Sequence, residues 1–472
     1  RTRLSLIKNT FMTLIKSISG IRGTIGGKPT DNLTPIDIVR FAAAYGQYIL
    51  SHTDVSKCSI VIGRDARISG AMVQALVSNT LVGMGIDVID LAMATTPTVE
   101  MVVPRANAQG GIILTASHNP KQWNALKLLD ANGEFLSAEA GAQILALAEN
   151  EDFNFASVDD LGIVTHDNTS LDMHIQAVLN HPLVDVESIR KSGLKVVVDG
   201  VNSIGGVAIP ALLKELNIEV IELFCEPNGH FPHNPEPLKE HLGDLSAQVI
   251  ESGADFGLVV DPDVDRLAFM DENGAMFGEE YTLVACADYV LSKTPGNTVS
   301  NMSSTRALRD VTEKHGGTYY SSAVGEVNVV TKMKAVNAVI GGEGNGGIID
   351  PQLHYGRDSL IGTALFLSLL SACKLSVSEL KKTYPEYFMG KGKIQLEPTM
   401  DVDALLLAIE KKYANNKPNT IDGVKIDFET SWVHLRKSNT EPIIRVYTEA
   451  PSQEEADLLM NRFKEELLAL GN

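Results

Sequence analysis

The stretch Phe256–Arg266 has the sequence FGLVVDPDVDR, in which a short apolar run leads into three aspartates at alternate positions. A run of this length, rich in Val and bounded by turn residues, is typical of a buried strand in a parallel sheet. Two further runs, Ser59–Gly63 and Lys195–Val198, also lead into turn residues and then into a helix-like segment. This strand–helix order predicts α/β architecture, with ligand groups at the carboxyl ends of the strands.

Helical periodicity, and a different order of helices and strands towards the C-terminus, predict how the chain is divided into domains. The predicted helices of the α/β part include Ile36–Ser51, Ala71–Met84, Ile204–Leu216 and Ala307–His315. The C-terminal part reads instead as two amphipathic helices and three strands, at Asp403–Tyr413, Glu454–Leu470, Gly423–Ile426, Trp432–Leu435 and Ile443–Tyr447. We predict three similar α/β domains with mixed parallel sheets (12–165, 166–268, 269–385) and a C-terminal α+β domain (386–472), with four domains around a central cleft.

Composition restricts the class of partner. The chain has 472 residues and a formal net charge of −19, which disfavours nucleic-acid binding. A site for an anionic metabolite would therefore need local positive charge. The longest apolar stretch, Leu360–Cys373, is too short to span a bilayer and predicts a core helix. We expect a cytoplasmic protein without membrane partners, because no secretory signal is visible; residues 1–11 match no element, and Met12 looks a more natural start.

The segment Gly110–Pro120 (GGIILTASHNP) places Ser117 on a loop after an apolar strand, and Pro120 prevents a regular continuation. A loop serine is usually a turn or cap residue, and the G-x-S-x-G pattern of a nucleophile elbow is absent. A catalytic interpretation of Ser117 therefore needs partners.

The acidic cluster Asp261, Asp263 and Asp265 is a candidate partner. Like charges this close raise one another's pKa unless a cation neutralises them, and carboxylate ligands suit Mg²⁺. A solvated acidic turn is the alternative, whereas the remaining ligand spacing of an EF-hand is missing.

The serine and aspartate segments together resemble the α-D-phosphohexomutase family, which includes phosphoglucomutases, phosphomannomutases and phosphoglucosamine mutases. The resemblance runs from about Leu14 to the C-terminus and includes four separated motifs in the family's order. It implies that Ser117 carries a phosphoryl group. It also implies that Asp261, Asp263 and Asp265 hold Mg²⁺ together with a phosphoserine oxygen.

The glycine-rich segment Gly341–Gly347 (GGEGNGG) offers Glu343 and Asn345 as hydrogen-bonding groups, although such loops are often simple turns. It resembles the family's sugar-binding loop, which binds two neighbouring hydroxyls. Asn345 stands where Ser is usual and Gly347 where His is usual. This form is similar to that of archaeal and Bacteroidetes-type members, several of which are described as phosphoglucosamine mutases, and it favours glucosamine 6-phosphate.

The segment Arg436–Arg445 (RKSNTEPIIR) combines guanidinium, hydroxyl and amide groups on one turn, a good cradle for a dianion. A surface turn with chance basic residues is the alternative. The resemblance places the non-transferring phosphate of the substrate here, on Arg436, Ser438, Asn439, Thr440 and Arg445.

Four residues are supporting candidates. By resemblance, Arg22 in the segment Gly20–Gly23 would stabilise charge on the transferring group, and Lys127 would be the general acid or base if its pKa were lowered. His118 is a second candidate for proton transfer, and Arg266 is expected to contact phosphate. The segment Gly63–Arg67 is interpreted as structural.

The resemblance implies an isomerase-class phosphotransferase that interconverts hexose 6-phosphate and hexose 1-phosphate through hexose 1,6-bisphosphate. The expected substrate is glucosamine 6-phosphate, with mannose and glucose phosphates as alternatives. A metal-dependent phosphatase and a non-catalytic sugar-phosphate-binding protein are the alternatives from other classes. Monomer and homodimer both fit the sequence.

Overall fold

In the computed structural model the described residues are 12–17, 20–395, 400–437 and 443–471. Four β-sheets follow one another along the chain, and helices cover them. The predicted fold class is confirmed, whereas the residue limits of the four domains stay a prediction. Within the described residues, every helix is either too short or too polar to cross a lipid bilayer.

The first sheet has seven strands in the order β1-β2-β6-β5-β3-β4-β7. Strand β3 lies parallel to β4 and β5, and β6 lies antiparallel to β5. The elements are β1 (Ile15–Ser17), β2 (Gly20–Thr24), α1 (Pro35–Ser51), β3 (Ser59–Arg64), α2 (Gly70–Gly83), β4 (Asp87–Met93), α3 (Thr96–Arg105), β5 (Gly110–Leu114), β6 (Trp123–Leu129), α4 (Ala138–Asn150) and β7 (Val164–His166).

The second sheet has the order β11-β10-β8-β9, with β10 and β9 parallel to β8 and β11 antiparallel to β10. The elements are α5 (Ser170–Leu179), α6 (Val186–Arg190), β8 (Lys195–Asp199), α7 (Gly205–Glu215), β9 (Glu219–Leu223), α8 (Gly243–Ser252), β10 (Phe256–Val260) and β11 (Leu267–Asp271).

The third sheet repeats this topology in the order β13-β12-β14-β15. Its elements are α9 (Glu279–Lys293), β12 (Asn297–Asn301), α10 (Ala307–Lys314), β13 (Tyr319–Ser322), α11 (Glu326–Val336), β14 (Ala338–Glu343), β15 (Gly347–Ile349), α12 (Ser359–Cys373) and α13 (Val377–Lys381). In all three sheets the third core strand carries an antiparallel fourth strand. The three loops joining these two strands are therefore equivalent, and they are the serine, aspartate and glycine-rich segments of the sequence.

The fourth sheet is antiparallel, in the order β16-β19-β18-β17. Its elements are β16 (Phe388–Gln395), α14 (Val402–Lys412), β17 (Val424–Asp427), β18 (Trp432–Lys437), β19 (Ile443–Ala450) and α15 (Gln453–Gly471). The sequence did not predict β16, because Gly390 and Gly392 interrupt its apolar pattern. Both glycines make room for neighbours: a Cβ on Gly392 would lie 2.6 Å from the Met460 sulfur of α15.

One hydrophobic cluster runs through the second and third units, so these two units share a core. Helix α12 lies in this cluster, with the Phe366 ring stacked on Phe269 at 3.7 Å between centroids. The helix begins after Asp358, whose Oδ1 accepts hydrogen bonds from the backbone N–H groups of Leu360 and Ile361. The predicted core helix is confirmed, and its N-terminus is fixed beside the loops described next.

Candidate active site

The serine loop (Thr115–Pro120) leaves the end of β5 through a strained backbone. Ser117 has a φ of 48°, a left-handed conformation that is uncommon for a residue with a side chain. Its N–H donates to Thr115 Oγ1 at 3.0 Å, and Thr115 in turn donates to Asp65 at 2.7 Å. The Ser117 side chain is thereby held in a defined direction, and the residue is only 3% exposed.

The Arg67 side chain holds the serine loop in place through hydrogen bonds. Its fully buried guanidinium pairs with Asp65 and donates to four backbone carbonyl oxygens, those of Ser117, Asn119, Pro120 and Trp123, at 2.5–3.0 Å. Arg67 thus explains why the segment Gly63–Arg67 is structural, since this one arginine donates hydrogen bonds to the carbonyls of the strained loop.

Replacing Arg67 with lysine is expected to lower both stability and turnover. A single ammonium cannot span four carbonyl oxygens, and a broken buried network costs about 3–5 kcal/mol of unfolding free energy. A serine displaced by an ångström would lower kcat roughly 100-fold. Urea denaturation and kcat measure the two effects. Arg64→Lys, in the same segment but half-buried, is the matched control, and equal behaviour of the two variants would contradict this role of Arg67.

The metal loop (Asp261–Arg266) brings its three aspartates together, all fully buried. One carboxylate oxygen from each lies within 4.8 Å of the other two. The backbone N–H groups of Asp265 and Arg266 both donate to Asp261 Oδ1 at 3.1 Å, and Val264 has a φ of 68° in this tight turn. The Ser117 hydroxyl donates to Asp261 Oδ2 at 2.8 Å, so the serine and metal loops meet.

The donor set of the metal loop fits a hard divalent cation. Asp263 Oδ1 and Asp265 Oδ1 are buried and have no hydrogen-bond partner among the described residues. Such orphaned acceptors are costly unless a ligand uses them. Burial and the two neighbouring carboxylates raise the pKa of Asp261 well above its ordinary value. An oxygen-only cluster of this kind matches the preference of Mg²⁺.

Lys127 lies on the same cluster from β6. Its ammonium donates to Asp263 Oδ2 at 2.7 Å and to Asp265 Oδ2 at 3.4 Å, and Thr96 donates to Asp263 Oδ2 at 2.6 Å. Burial alone would lower the pKa of Lys127, but Asp263 and Asp265 raise it above its ordinary value. The interpretation of Lys127 as a general acid or base required a lowered pKa. Its pKa is raised instead, because the direct partners of the amine are carboxylates.

Arg22 and His118 flank Ser117 from two sides. Arg22 donates to the Asn119 side chain at 2.8 Å, which ties β2 to the serine loop. The His118 ring nitrogen Nδ1 lies 3.4 Å from Ser117 Oγ. Burial and the positive charges of Arg266 and Arg22 lower the pKa of His118 to about 2, so the imidazole is neutral near pH 7 and is a weak base.

The sugar loop (Gly341–Gly347) presents a fixed carboxylate. Glu343 accepts from Asn301 at 2.9 Å, from the Gly325 N–H at 3.2 Å and from Arg357 at 3.0 Å. Burial alone would raise the pKa of Glu343, but Arg357 and Asn301 keep it below its ordinary value. Asn345 lies 3.4 Å from the same carboxylate, so the two predicted hydroxyl-binding residues are adjacent.

Two adjoining cavities, of about 390 and 650 Å³, form the cleft. Residues from the metal, serine, sugar and C-terminal segments line both of them: Arg266, His118, Glu343, Asn345 and Arg436. Ser117, Arg22 and Lys127 line the larger cavity, and Arg445 lines the smaller. The structure thus brings these residues around one space, and the fully buried aspartates contact two of them, Ser117 and Lys127.

The C-terminal segment contributes two arginines to this space. Arg436 donates to Asp422 at 2.8 Å, and Arg445 donates to the Tyr447 hydroxyl at 3.3 Å. Ser438, Asn439 and Thr440, which the sequence assigned to phosphate binding, lie outside the described residues. The Val324 N–H also donates to Asp422 at 3.0 Å, which fastens the fourth unit to the third beside the cleft.

Sequence reasoning placed Arg67 in a structural segment without identifying its contacts, and it missed Thr96, Glu280 and Arg357 altogether. Each of them acts through contacts with residues far away in the chain, and no local pattern marks them. Glu280 lines the smaller cavity, and a Cβ on Gly344 would lie 2.1 Å from its Oε2. The glycine at 344 could therefore have signalled that a side chain from elsewhere lies over the sugar loop.

Four family models match the chain in order, described as phosphoglucomutase/phosphomannomutase alpha/beta/alpha domains I, II and III and the C-terminal domain. They cover residues 14–155, 172–274, 270–387 and 397–466.

Two curated proteins and one solved structure are similar along nearly the whole chain. A phosphoglucomutase/phosphomannomutase of Thermococcus kodakarensis is 36% identical, over 92% of this chain and 95% of its own. A probable phosphoglucosamine mutase of Methanopyrus kandleri is 32% identical, over 94% of this chain and 96% of its own. A phosphoglucomutase/phosphomannomutase family protein of Burkholderia thailandensis superposes with a TM-score of 0.83 at 24% identity, over 98% of this chain and 97% of its own.

Proposed function

The chain belongs to the phosphoglucomutase/phosphomannomutase family, and from this premise we propose that it converts glucosamine 6-phosphate to glucosamine 1-phosphate. It is a phosphomutase, an isomerase-class enzyme that moves a phosphoryl group within a hexose phosphate. The observation that carries the assignment of the reaction centre is the contact of 2.8 Å between Ser117 Oγ and Asp261 in the buried aspartate cluster. This hydroxyl opens into a cleft that holds both acceptors for a sugar and cations for a phosphate.

In the proposed cycle Ser117 rests as a phosphoserine. Asp261, Asp263 and Asp265 would hold Mg²⁺, which when bound supplies Lewis-acid stabilisation of the phosphoryl oxygens. The Arg436 and Arg445 side chains, with Ser438, Asn439 and Thr440, bind the other phosphate of the substrate. Glu343 and Asn345 bind two neighbouring hydroxyls and so orient the ring.

Phosphoryl transfer breaks the bond from phosphorus to Ser117 Oγ and forms a bond from phosphorus to the sugar hydroxyl. Asp263 and Asp265 keep Lys127 protonated at rest, so it acts first as the acid and its ammonium donates a proton to the departing Oγ. The amine left behind is a strong base because its pKa is raised, and it takes the proton of the attacking hydroxyl, which restores its charge. Arg22 and Arg266 stabilise negative charge on the transferring group, and neutral His118 orients the serine loop. The hexose 1,6-bisphosphate then turns over in the cleft and returns its other phosphoryl group to Ser117.

The preference for an amino sugar is supported by the sugar loop and by its surroundings. The resemblance seen in the sequence implies a G-E-G-N-G-G form typical of members described as phosphoglucosamine mutases. One curated relative is named a probable phosphoglucosamine mutase. Glu236, Glu279 and Glu280 also line the smaller cavity, and Glu280 lies against Gly344 of the sugar loop. These carboxyl groups are suitable acceptors for the 2-ammonium group of glucosamine, which glucose and mannose lack.

Comparison of three substrates tests this preference. We expect kcat/KM for glucosamine 6-phosphate to exceed that for glucose 6-phosphate and mannose 6-phosphate by about tenfold or more, which is about 1.4 kcal/mol of discrimination. A steady release of inorganic phosphate without hexose 1-phosphate would instead identify a phosphatase. A preference for glucose or mannose would leave the mutase in place and refute the amino-sugar assignment.

A further inference from the structure

Arg357 joins three acidic segments that come from different parts of the fold. Its Nη2 donates to Asp265 of the metal loop at 2.7 Å, and its Nη1 donates to Glu343 of the sugar loop at 3.0 Å. Its Nε donates to Glu326, the first residue of α11, at 3.0 Å. The side chain is only 9% exposed, so a single guanidinium bridges three carboxyl groups in a buried place.

The backbone around Arg357 is fixed as firmly as its side chain. The Arg357 N–H donates to Glu326 at 2.9 Å. The next residue, Asp358, caps α12 and its N–H donates to the Ile348 carbonyl at 2.8 Å, while the Ser359 N–H donates to the Val264 carbonyl of the metal loop at 3.2 Å. The guanidinium is therefore presented from a rigid support, as a positioning group must be.

The packing of Arg357 explains why the sugar loop has a glycine at position 347, where His is usual in the family. A Cβ on Gly347 would lie 2.3 Å from Arg357 Cδ and 3.0 Å from its Cγ. Any side chain at 347 would therefore compete with the arginine for the same space. The Gly347 φ lies outside the left-handed range, so space rather than backbone conformation requires the glycine here.

We propose that Arg357 is a positioning residue that holds Glu343 and Asp265 at a fixed separation, so that a sugar bound by the sugar loop is set against the metal loop. The planar fork reaches both carboxylates at once, which a lysine cannot do. Arg357 acts on the substrate through Glu343. Without it, the buried carboxylates of Asp265, Glu326 and Glu343 repel one another and the hydroxyl acceptor turns away.

A double-mutant cycle on sugar affinity tests the role of Arg357. Calorimetry on the dephosphorylated protein without added metal gives the Kd of whichever of glucosamine, glucose or mannose 6-phosphate the wild type binds most tightly. We expect Arg357→Met and Glu343→Gln each to weaken binding about tenfold, and the double variant to be no weaker than Glu343→Gln alone. Arg357→Lys should recover part of the loss. Arg309→Met, which removes a half-exposed arginine from α10, is the control.

Two results would overturn the positioning role. Additive losses in the double variant would mean that Arg357 binds the substrate directly, and a lower Tm with unchanged Kd would mean a structural role alone. If the proposed function names the wrong sugar, the wild type will bind another of the three sugar phosphates most tightly. If this inference is wrong, the Kd values of the variants will depart from the expected pattern.

Gly347→Ala gives a second measurement that does not remove the arginine. The added methyl group should displace Arg357 and weaken sugar binding severalfold. In the Arg357→Ala background the same change should have no effect, because the space over residue 347 is then empty. An equal loss from Gly347→Ala in both backgrounds would contradict the proposal. Where the Arg357 variants fail to fold, an unchanged Kd in Gly347→Ala alone would contradict it.

Discussion

Replacing Ser117 with alanine is expected to lower kcat for hexose phosphate interconversion by at least about 10⁴-fold, because the variant has no atom to carry the phosphoryl group. The residual rate would come from binding groups that remain in the cleft. Folding should survive, since alanine meets the same left-handed backbone with a Cβ that serine already has. The hydrogen bond to Asp261 is lost and its buried acceptor is left without this donor, at a cost of about 1–3 kcal/mol.

Intact-mass measurement makes this prediction specific to a phosphoserine. Dephosphorylated wild-type protein treated with a hexose 1,6-bisphosphate should gain about 80 Da, the mass of one phosphorylation, and Ser117→Ala treated in the same way should gain nothing. Ser51→Ala, which removes a hydroxyl from the exposed end of α1, is the matched control and should behave as wild type. Retained turnover in Ser117→Ala, or the same mass gain in both proteins, would refute the nucleophile assignment.

The sequence marks those segments of the candidate site in which chemistry and local pattern coincide. An apolar strand followed by a polar loop marks the serine, metal and sugar loops alike, since each follows the third core strand of its sheet. The chain thus uses one topological position three times. Their convergence could be predicted from the family resemblance, but the distances between them could not.

The contacts that escaped prediction join residues far apart in the chain. Arg67 and the Ser117 carbonyl are 50 residues apart, and Arg357 and Asp265 are 92 residues apart. Each has an ordinary local environment in the sequence, because an arginine before a helix or after a strand carries no periodic signal. Only the packing of the units shows that Arg67 contacts several backbone carbonyls and that Arg357 contacts several carboxylates. The space left by Gly347 was visible in the sequence, but its occupant was not.

Replacing Asp263 with asparagine is the second substitution with a large expected effect. Asp263 Oδ2 accepts from Lys127 and Thr96, while its Oδ1 is buried and unpaired among the described residues. The amide oxygen of asparagine would stay with Lys127 and Thr96, since an amide N–H there would face donors. The amide nitrogen would then take the place of Oδ1 and present hydrogens where a cation needs a lone pair.

We therefore expect Asp263→Asn to weaken Mn²⁺ binding, measured by calorimetry, by at least about 100-fold, and to lower kcat at saturating Mg²⁺ about 10³-fold. Wild-type Tm should rise with added Mg²⁺, as for any ligand that binds the folded state, and the Tm of the variant should not. Asp167→Asn, a half-buried loop substitution far along the chain with the same loss of charge, should retain both responses.

The unfolding stability of Asp263→Asn shows whether the substitution removes a ligand of the cation or an ion-pair partner of Lys127. In Asp263→Asn the ammonium keeps Asp265, at 3.4 Å, so the metal-free variant should unfold close to the metal-free wild type. A variant that loses cation binding while keeping this stability shows that the three aspartates form a binding site rather than a structural ion-pair network. Unchanged Mn²⁺ affinity would mean that the orphaned oxygens of Asp263 and Asp265 serve no cation, and the charge argument for the transfer of phosphoryl groups at Ser117 would fall with it.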